Sequence, residues 1–186
     1  KARIMYYHDG RHPLIYMYEP PIHKEQYEQA VDELVGTPVD AIMFCLGDGR
    51  TVLHDTQVGE LWGHNVAKWK HQVFHRAGKN ARHLIAQGCD PLRIICERAH
   101  EYGILVYATL LVNQGSGERG EDMRGSDFRF DNKHLEIGDG GDFGAGFAGA
   151  NCADFKHLEI RVERLELIAE TLDKYLPRAL RLVDLA

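Results

Sequence analysis

The sequence predicts an α/β protein built of parallel β/α units, and three observations predict it. First, short apolar runs stop abruptly at polar loops. Residues 4–7 stop at His8-Asp9-Gly10-Arg11-His12-Pro13, residues 41–46 at Gly47-Asp48-Gly49-Arg50, and residues 104–112 at Asn113-Gln114-Gly115. Second, the segments between them carry helical periodicity. Third, residues 39–46 are nearly continuously apolar, as a strand covered on both faces should be. A protein of this kind presents its polar site at the carboxyl ends of its strands.

The elements follow in order. Residues 24–34 read as a helix, because Tyr27, Ala30, Val31 and Leu34 form one apolar stripe at i, i+3, i+4 and i+7. Gly36 and Pro38 end it, and the second strand follows over 39–46. The connection 47–79 holds Trp62, Trp69 and a short helix around 65–76. A further helix spans 80–87 and ends at Gly88. Asp90-Pro91 then starts another helix, with Asp as N-cap and Pro in the first turn. Leu92, Ile95, Cys96 and Ala99 are its buried stripe, and Gly103 closes it before the third strand. Residues 113–153 form a long Gly-rich loop. The clearest helix is 157–176, where Leu158, Val162, Leu165, Ala169, Leu172 and Leu176 form the expected buried stripe. Pro177 ends it, and 179–185 is a candidate fourth strand. The expected order is β-α-β-α-β-α-β.

With 186 residues the chain suits a single domain, 1–186, with a sizeable core. The formal net charge is −6 and no Lys/Arg block occurs, which argues against a nucleic-acid partner. No apolar stretch reaches the length of a membrane span. Cys45, Cys89, Cys96 and Cys152 form no CxxC pair, so the expectation is buried thiols in a reducing, cytoplasmic compartment. The chain opens on Lys1, so the lack of a leader says little about export.

Several motifs are weaker than they look. The GxGxxG matches at 115–120 and 144–149 are not each placed between a strand and a helix, as dinucleotide binding requires. Ser116 and Ser126 sit in no GxSxG. His71 and His75 are four apart, but Gln72 occupies the place of the general base in HExxH.

Asp9, Asp48 and Glu19, joined by His8, are the catalytic candidates. Asp9 and Asp48 directly follow the first two strands and so should share one rim, while Glu19 precedes the stiff Pro20-Pro21. Carboxylates flanking a glycosidic bond act as acid and base, or as acid and nucleophile. Asp before Gly also forms turns, which is the competing reading of Asp9 and Asp48. His8 and His12 bracket the first rim loop. Their spacing is not the HxH of a metal-dependent amidohydrolase barrel, so hydrogen bonding within the loop or to substrate is their expected role. Arg50, Asn113 and Gln114 suit substrate carboxylate or hydroxyl groups. Trp62, with Tyr16, Tyr18 and Trp69, offers a stacking platform for pyranose rings, or simply anchors the loops. Asp139 and Asp142 lie in an acidic Gly-rich loop of the kind that takes calcium. A divalent cation, calcium or zinc, is the cofactor such residues would bind.

Taken together, several segments resemble an uncharacterised family of glycoside-hydrolase-like (β/α)8-barrel proteins of environmental bacteria. They are Tyr7-His8-Asp9-Gly10-Arg11-His12-Pro13, Tyr18-Glu19-Pro20-Pro21, Gly47-Asp48-Gly49-Arg50-Thr51, Asp90-Pro91-Leu92, Ala99-His100-Glu101-Tyr102-Gly103-Ile104, Ser126-Asp127-Phe128-Arg129 and Asp154-Phe155-Lys156-His157. The resemblance implies the first half of such a barrel, a truncated TIM-type fold, since a full one needs about 200 residues or more. Acidic residues that the family delivers from later strands have no counterpart here. The resulting expectation is a glycoside-hydrolase-like hydrolase with a carboxylate site at the strand ends. The alternatives are a metal-dependent hydrolase of lactones or other small esters, and a non-catalytic carbohydrate-binding remnant. The expected partners are a small-molecule or carbohydrate substrate and further copies of the chain covering exposed sheet edges.

Overall fold

The computed structural model describes residues 3–111, 117–138 and 152–175. The fold is mixed α/β with a mostly parallel sheet. Strand β1 (Met5–His8) pairs in parallel with β2 (Ala41–Asp48), from Met5 opposite Ala41 to His8 opposite Phe44. On its other side β2 pairs in parallel with β5 (Leu105–Leu111), from Ala41 opposite Leu105 to Cys45 opposite Thr109. A register shift separates Cys45 from Asp48. Two short strands that the sequence did not predict, β3 (Thr51–Val52) and β4 (Glu60–Leu61), fold back from the end of β2. β3 runs antiparallel to β2, and β4 pairs in parallel with β3.

Helices α1 (Lys24–Asp32) and α3 (Pro91–Glu101) pack on one another over one face of this sheet. Alternation along the strands sends Ile42, Phe44 and Val106 to that face, where they join Tyr27, Val31 and Ile95 in the main core. The expected stripes of both helices are buried. Asp90 caps α3 by accepting the Leu92 N–H at 3.3 Å. The two helices expected around 65–76 and 80–87 are one helix, α2 (Gln72–Ala86). Its buried face includes Asn80, whose amide bridges the Leu14 and Tyr18 carbonyls and the Ile22 N–H. Along β1, Met5, Tyr6 and Tyr7 are exposed. The expectation of a strand covered on both faces, made for residues 39–46, holds for β2, in which Met43 alone is half-buried rather than buried.

After the helix α4 (Asp127–Asp131) comes α5 (Leu158–Tyr175), which corrects a second expectation. Leu158, Val162, Leu165 and Leu172 face solvent, Leu165 being 62% exposed. The buried face holds Ile160, Glu163, Arg164, Leu167, Thr171 and Tyr175. It docks on the chain between β3 and β4 through polar contacts. Glu170 accepts from Thr56 and from the Gln57 N–H, and Lys174 donates to Asp55. Residues 179–185 lie outside the described residues.

Candidate functional site

The first rim loop is shaped by backbone demands. Gly10 has φ +72°, and a Cβ there would lie 2.1 Å from the Cys45 carbonyl oxygen, so only glycine lets the loop fold back over β2. His8 Nδ1 accepts the Gly10 N–H at 3.0 Å, and the buried Tyr27 hydroxyl donates to the Gly10 carbonyl at 2.9 Å. Asp9 Oδ1 accepts the N–H groups of Arg11 and His12, each at 2.9 Å. This is the Asp-turn chemistry of local side-chain-to-backbone bonding. It aims Arg11 sideways across the strand ends.

Arg11 meets the end of β2. Its Nη1 donates to Asp48 Oδ2 at 2.7 Å, and its guanidinium lies 5.6 Å from the Trp62 ring centre. Asp48 is 6% exposed. Burial pushes its carboxyl up from the usual range. Arg11 and Arg124 oppose that rise, and the charges of Asp122 and Asp9 add to it.

A cleft of about 500 Å³ opens over this point, with Asp9, Arg11, Tyr16, Trp62, His71 and Asp122 in its lining. One wall is the segment 117–124, folded by Asp122, whose two oxygens accept the Gly117 N–H at 2.8 Å and the Arg124 N–H at 3.0 Å. Backbone bonds fasten that wall to the chain after β4: Gly63 donates to Met123 at 3.0 Å and Ala67 to Gly120 at 3.0 Å.

The structure places the sequence candidates unevenly. Asp9 and Trp62 line the cleft. Trp62 is 2% exposed and lies beneath Arg11, which makes it floor rather than a platform. Tyr16, 58% exposed, offers the open ring. Asp48 sits behind Arg11 and is not part of the lining. His8 is buried and stacked on Phe44 with ring centres 5.3 Å apart, and burial pushes its pKa down. His12 is exposed, packs near Tyr16 and shares a separate groove of about 280 Å³ with His8, Asp9 and Glu33. Glu19 is not among the lining residues; it points to solvent and pairs with Arg76 of α2. Arg50 also leaves the cleft, pairing with Glu60 at 3.7 Å and Glu163 at 3.4 Å and lying over Phe128. Asn113, Gln114, Asp139 and Asp142 lie outside the described residues.

Sequence reasoning missed Arg11 and Asp122. Arg11 carried a signal, since Asp9-Gly10-Arg11 repeats the triplet Asp48-Gly49-Arg50. Asp122 carried none beyond membership of a Gly-rich acidic loop. Also missed was a group beside the wall, Glu60, His64 and Asp127, whose donor atoms all lie within 4.8 Å of one another. None of the three lines the cleft. Among the described residues no helix is long and apolar enough to cross a membrane. The chain matches no protein-family model, and no curated protein matches it.

Proposed function

We propose that the protein is a glycoside-hydrolase-like hydrolase, the N-terminal half of a (β/α)8-type barrel, acting on a carbohydrate in the cleft at the strand ends. The observation that carries this reading is the presence of Asp9 and Asp122, from separate segments, in one cleft of about 500 Å³ over the Asp48–Arg11 pair. Sequential parallel order, β1-β2-β5, with the polar cleft at the carboxyl ends, supports the scaffold. In this reading Asp9 and Asp122 divide the work of protonating the leaving oxygen and activating water or attacking the sugar. Asp48 is a positioning residue: it holds Arg11, whose remaining N–H groups bind hydroxyls. Tyr16 supplies the ring face. The β1 edge, exposed at Met5, Tyr6 and Tyr7, takes a second copy of the chain.

The test is turnover of a panel of aryl glycosides by Asp9→Asn and Asp122→Asn. Each should lose at least about a hundredfold in rate with the fold intact, and unchanged turnover in both removes the mechanism. One observation favours a second, binding-only reading: both carboxylates already hold turns, through the Arg11, His12, Gly117 and Arg124 N–H groups. Saturable oligosaccharide binding without turnover by the wild type would select it. The metal-dependent lactone or ester hydrolase needs an ion in the cleft, and the Glu60/His64/Asp127 group stands outside the lining.

A further inference from the structure

We infer that the outward face of α5 is the seam of a parallel two-stranded coiled coil, through which the protein pairs with a second copy of itself. Leu158, Leu165 and Leu172 recur every seven residues, and Val162 and Ala169 stand four residues after the first two. This is heptad spacing, with leucine at d and with Val162 and Ala169 at a. Leu158, Val162, Leu165, Ile168 and Leu172 are all exposed, by 41% to 62%. The residues that seat α5 on the rest of the fold, Ile160, Glu163, Arg164, Leu167 and Thr171, occupy b, c and f. Those positions lie on the side of the helix opposite a and d. The seam therefore points directly away from the body of the protein, and two copies can join their seams with the bodies held apart.

The charges beside the seam identify the occupant and its direction. Position e is acidic throughout, as Glu159, Glu166 and Asp173, and position g opens with Arg161. All four are exposed, and among the described residues none of them is engaged in an ion pair. In a parallel pair, g of one helix faces the following e of the other. Arg161 then meets Glu166 of the partner subunit, and two-fold symmetry makes the contact twice. In an antiparallel pair e faces e, so acid meets acid along the whole helix. Charge thus selects the parallel arrangement, and Val at a with Leu at d favours two strands. Acidic flanks also oppose docking on an anionic lipid surface, which takes helices lined with Lys and Arg. At 18 residues α5 is about 27 Å long, marginal for a helix that must form as it pairs. It is already held, by Lys174 on Asp55 and Tyr175 on Asp90, so pairing does not carry the cost of ordering it. The seam shares no residue with the cleft or with β1, so the inference stands apart from the hydrolase reading.

The experiment is sedimentation of the full chain, joined to disulfide crosslinking of cysteine variants. Leu165→Lys places a charge in the seam at an exposed position, so the fold should persist by circular dichroism while pairing weakens at least about a hundredfold. Arg161→Glu and Glu166→Arg should each weaken pairing about tenfold, and the double variant should recover it. Parallel helices bring equal d positions together. Leu158→Cys and Leu172→Cys should therefore each form covalent dimers alone under mild oxidation, while the wild type forms none, and adding Tyr6→Lys at β1 should leave these crosslinks unchanged. A chain that stays monomeric at about 100 µM, pairing lost with Tyr6→Lys but kept with Leu165→Lys, or crosslinks that form only when the two cysteine variants are mixed would each overturn the inference.

Discussion

The ends of β1 and β2 carry the same triplet, Asp-Gly-Arg, and use it in opposite ways. Both glycines take left-handed backbone, φ +72° at Gly10 and +61° at Gly49. At the end of β1 the aspartate turns back on its own loop and the arginine reaches out to Asp48. At the end of β2 the aspartate is the buried receiver, and the arginine goes behind the wall to Glu60 and Glu163. The difference lies in the neighbours. Past Asp9 the chain closes over β2 and leaves Arg11 facing the cleft. Past Asp48 it pairs back as β3 and carries Arg50 the other way. A local motif fixes the turn, and the adjacent strand decides which side chain becomes part of the site.

The largest contrast should come from the glycines. Gly10→Ala combines left-handed strain with a Cβ 2.1 Å from the Cys45 carbonyl oxygen, and should cost about 3 kcal/mol or more. Gly49→Ala brings the same left-handed strain, which costs roughly 1–2 kcal/mol. Urea denaturation of the two variants measures this, and equal losses would remove the distinction.

The arginines come next. Arg11→Met leaves a buried Asp48 unpaired and should cost about 3 kcal/mol. Arg50→Met leaves Glu60 its backbone donors and Glu163 its Arg164 partner, so about 1 kcal/mol is expected. Asp48→Asn should cost less than Arg11→Met, because Arg11 reaches the open cleft whereas Asp48 cannot reach water. The ordering Arg11→Met, then Asp48→Asn, is readable in the same denaturation experiment.

Acid titration separates the layers beneath the first turn. His54 is buried, its Nε2 has no partner, and burial lowers its pKa from 6.5 to about 4. The unfolded chain binds that proton first, so its contribution is full above pH 6.5 and is lost as pH falls towards 4, by about 3 kcal/mol. Asp48 has the opposite sign: its raised pKa means the folded chain takes the proton first, so its contribution grows as pH falls. His54→Phe should flatten the first dependence and Asp48→Asn the second.

Much of this scaffold was legible. The runs ending in β1, β2 and β5 announced themselves by apolar continuity, the α1 stripe by its spacing, and the start of α3 by Asp90-Pro91. The facing of α5 was not legible. Its leucines repeat at helical spacing, yet Glu163 turns inward to Arg50 and Tyr175 to Asp90, partners far off in sequence. Periodicity tells that a helix has two faces, and only the tertiary partners choose between them. The site divides the same way. Asp9 and Asp48 were readable as neighbours at one rim, whereas the crossing of Arg11 required knowing how the first turn closes over β2.

That crossing bears the whole account of the cleft, and a double-mutant cycle on Arg11 and Asp48 measures it directly. Stabilities of the wild type, Arg11→Met, Asp48→Asn and the double variant should give a coupling of about 2 kcal/mol, with the double variant less destabilised than the two singles summed. A coupling within about 0.3 kcal/mol of zero would show that the two strand ends do not meet through this pair.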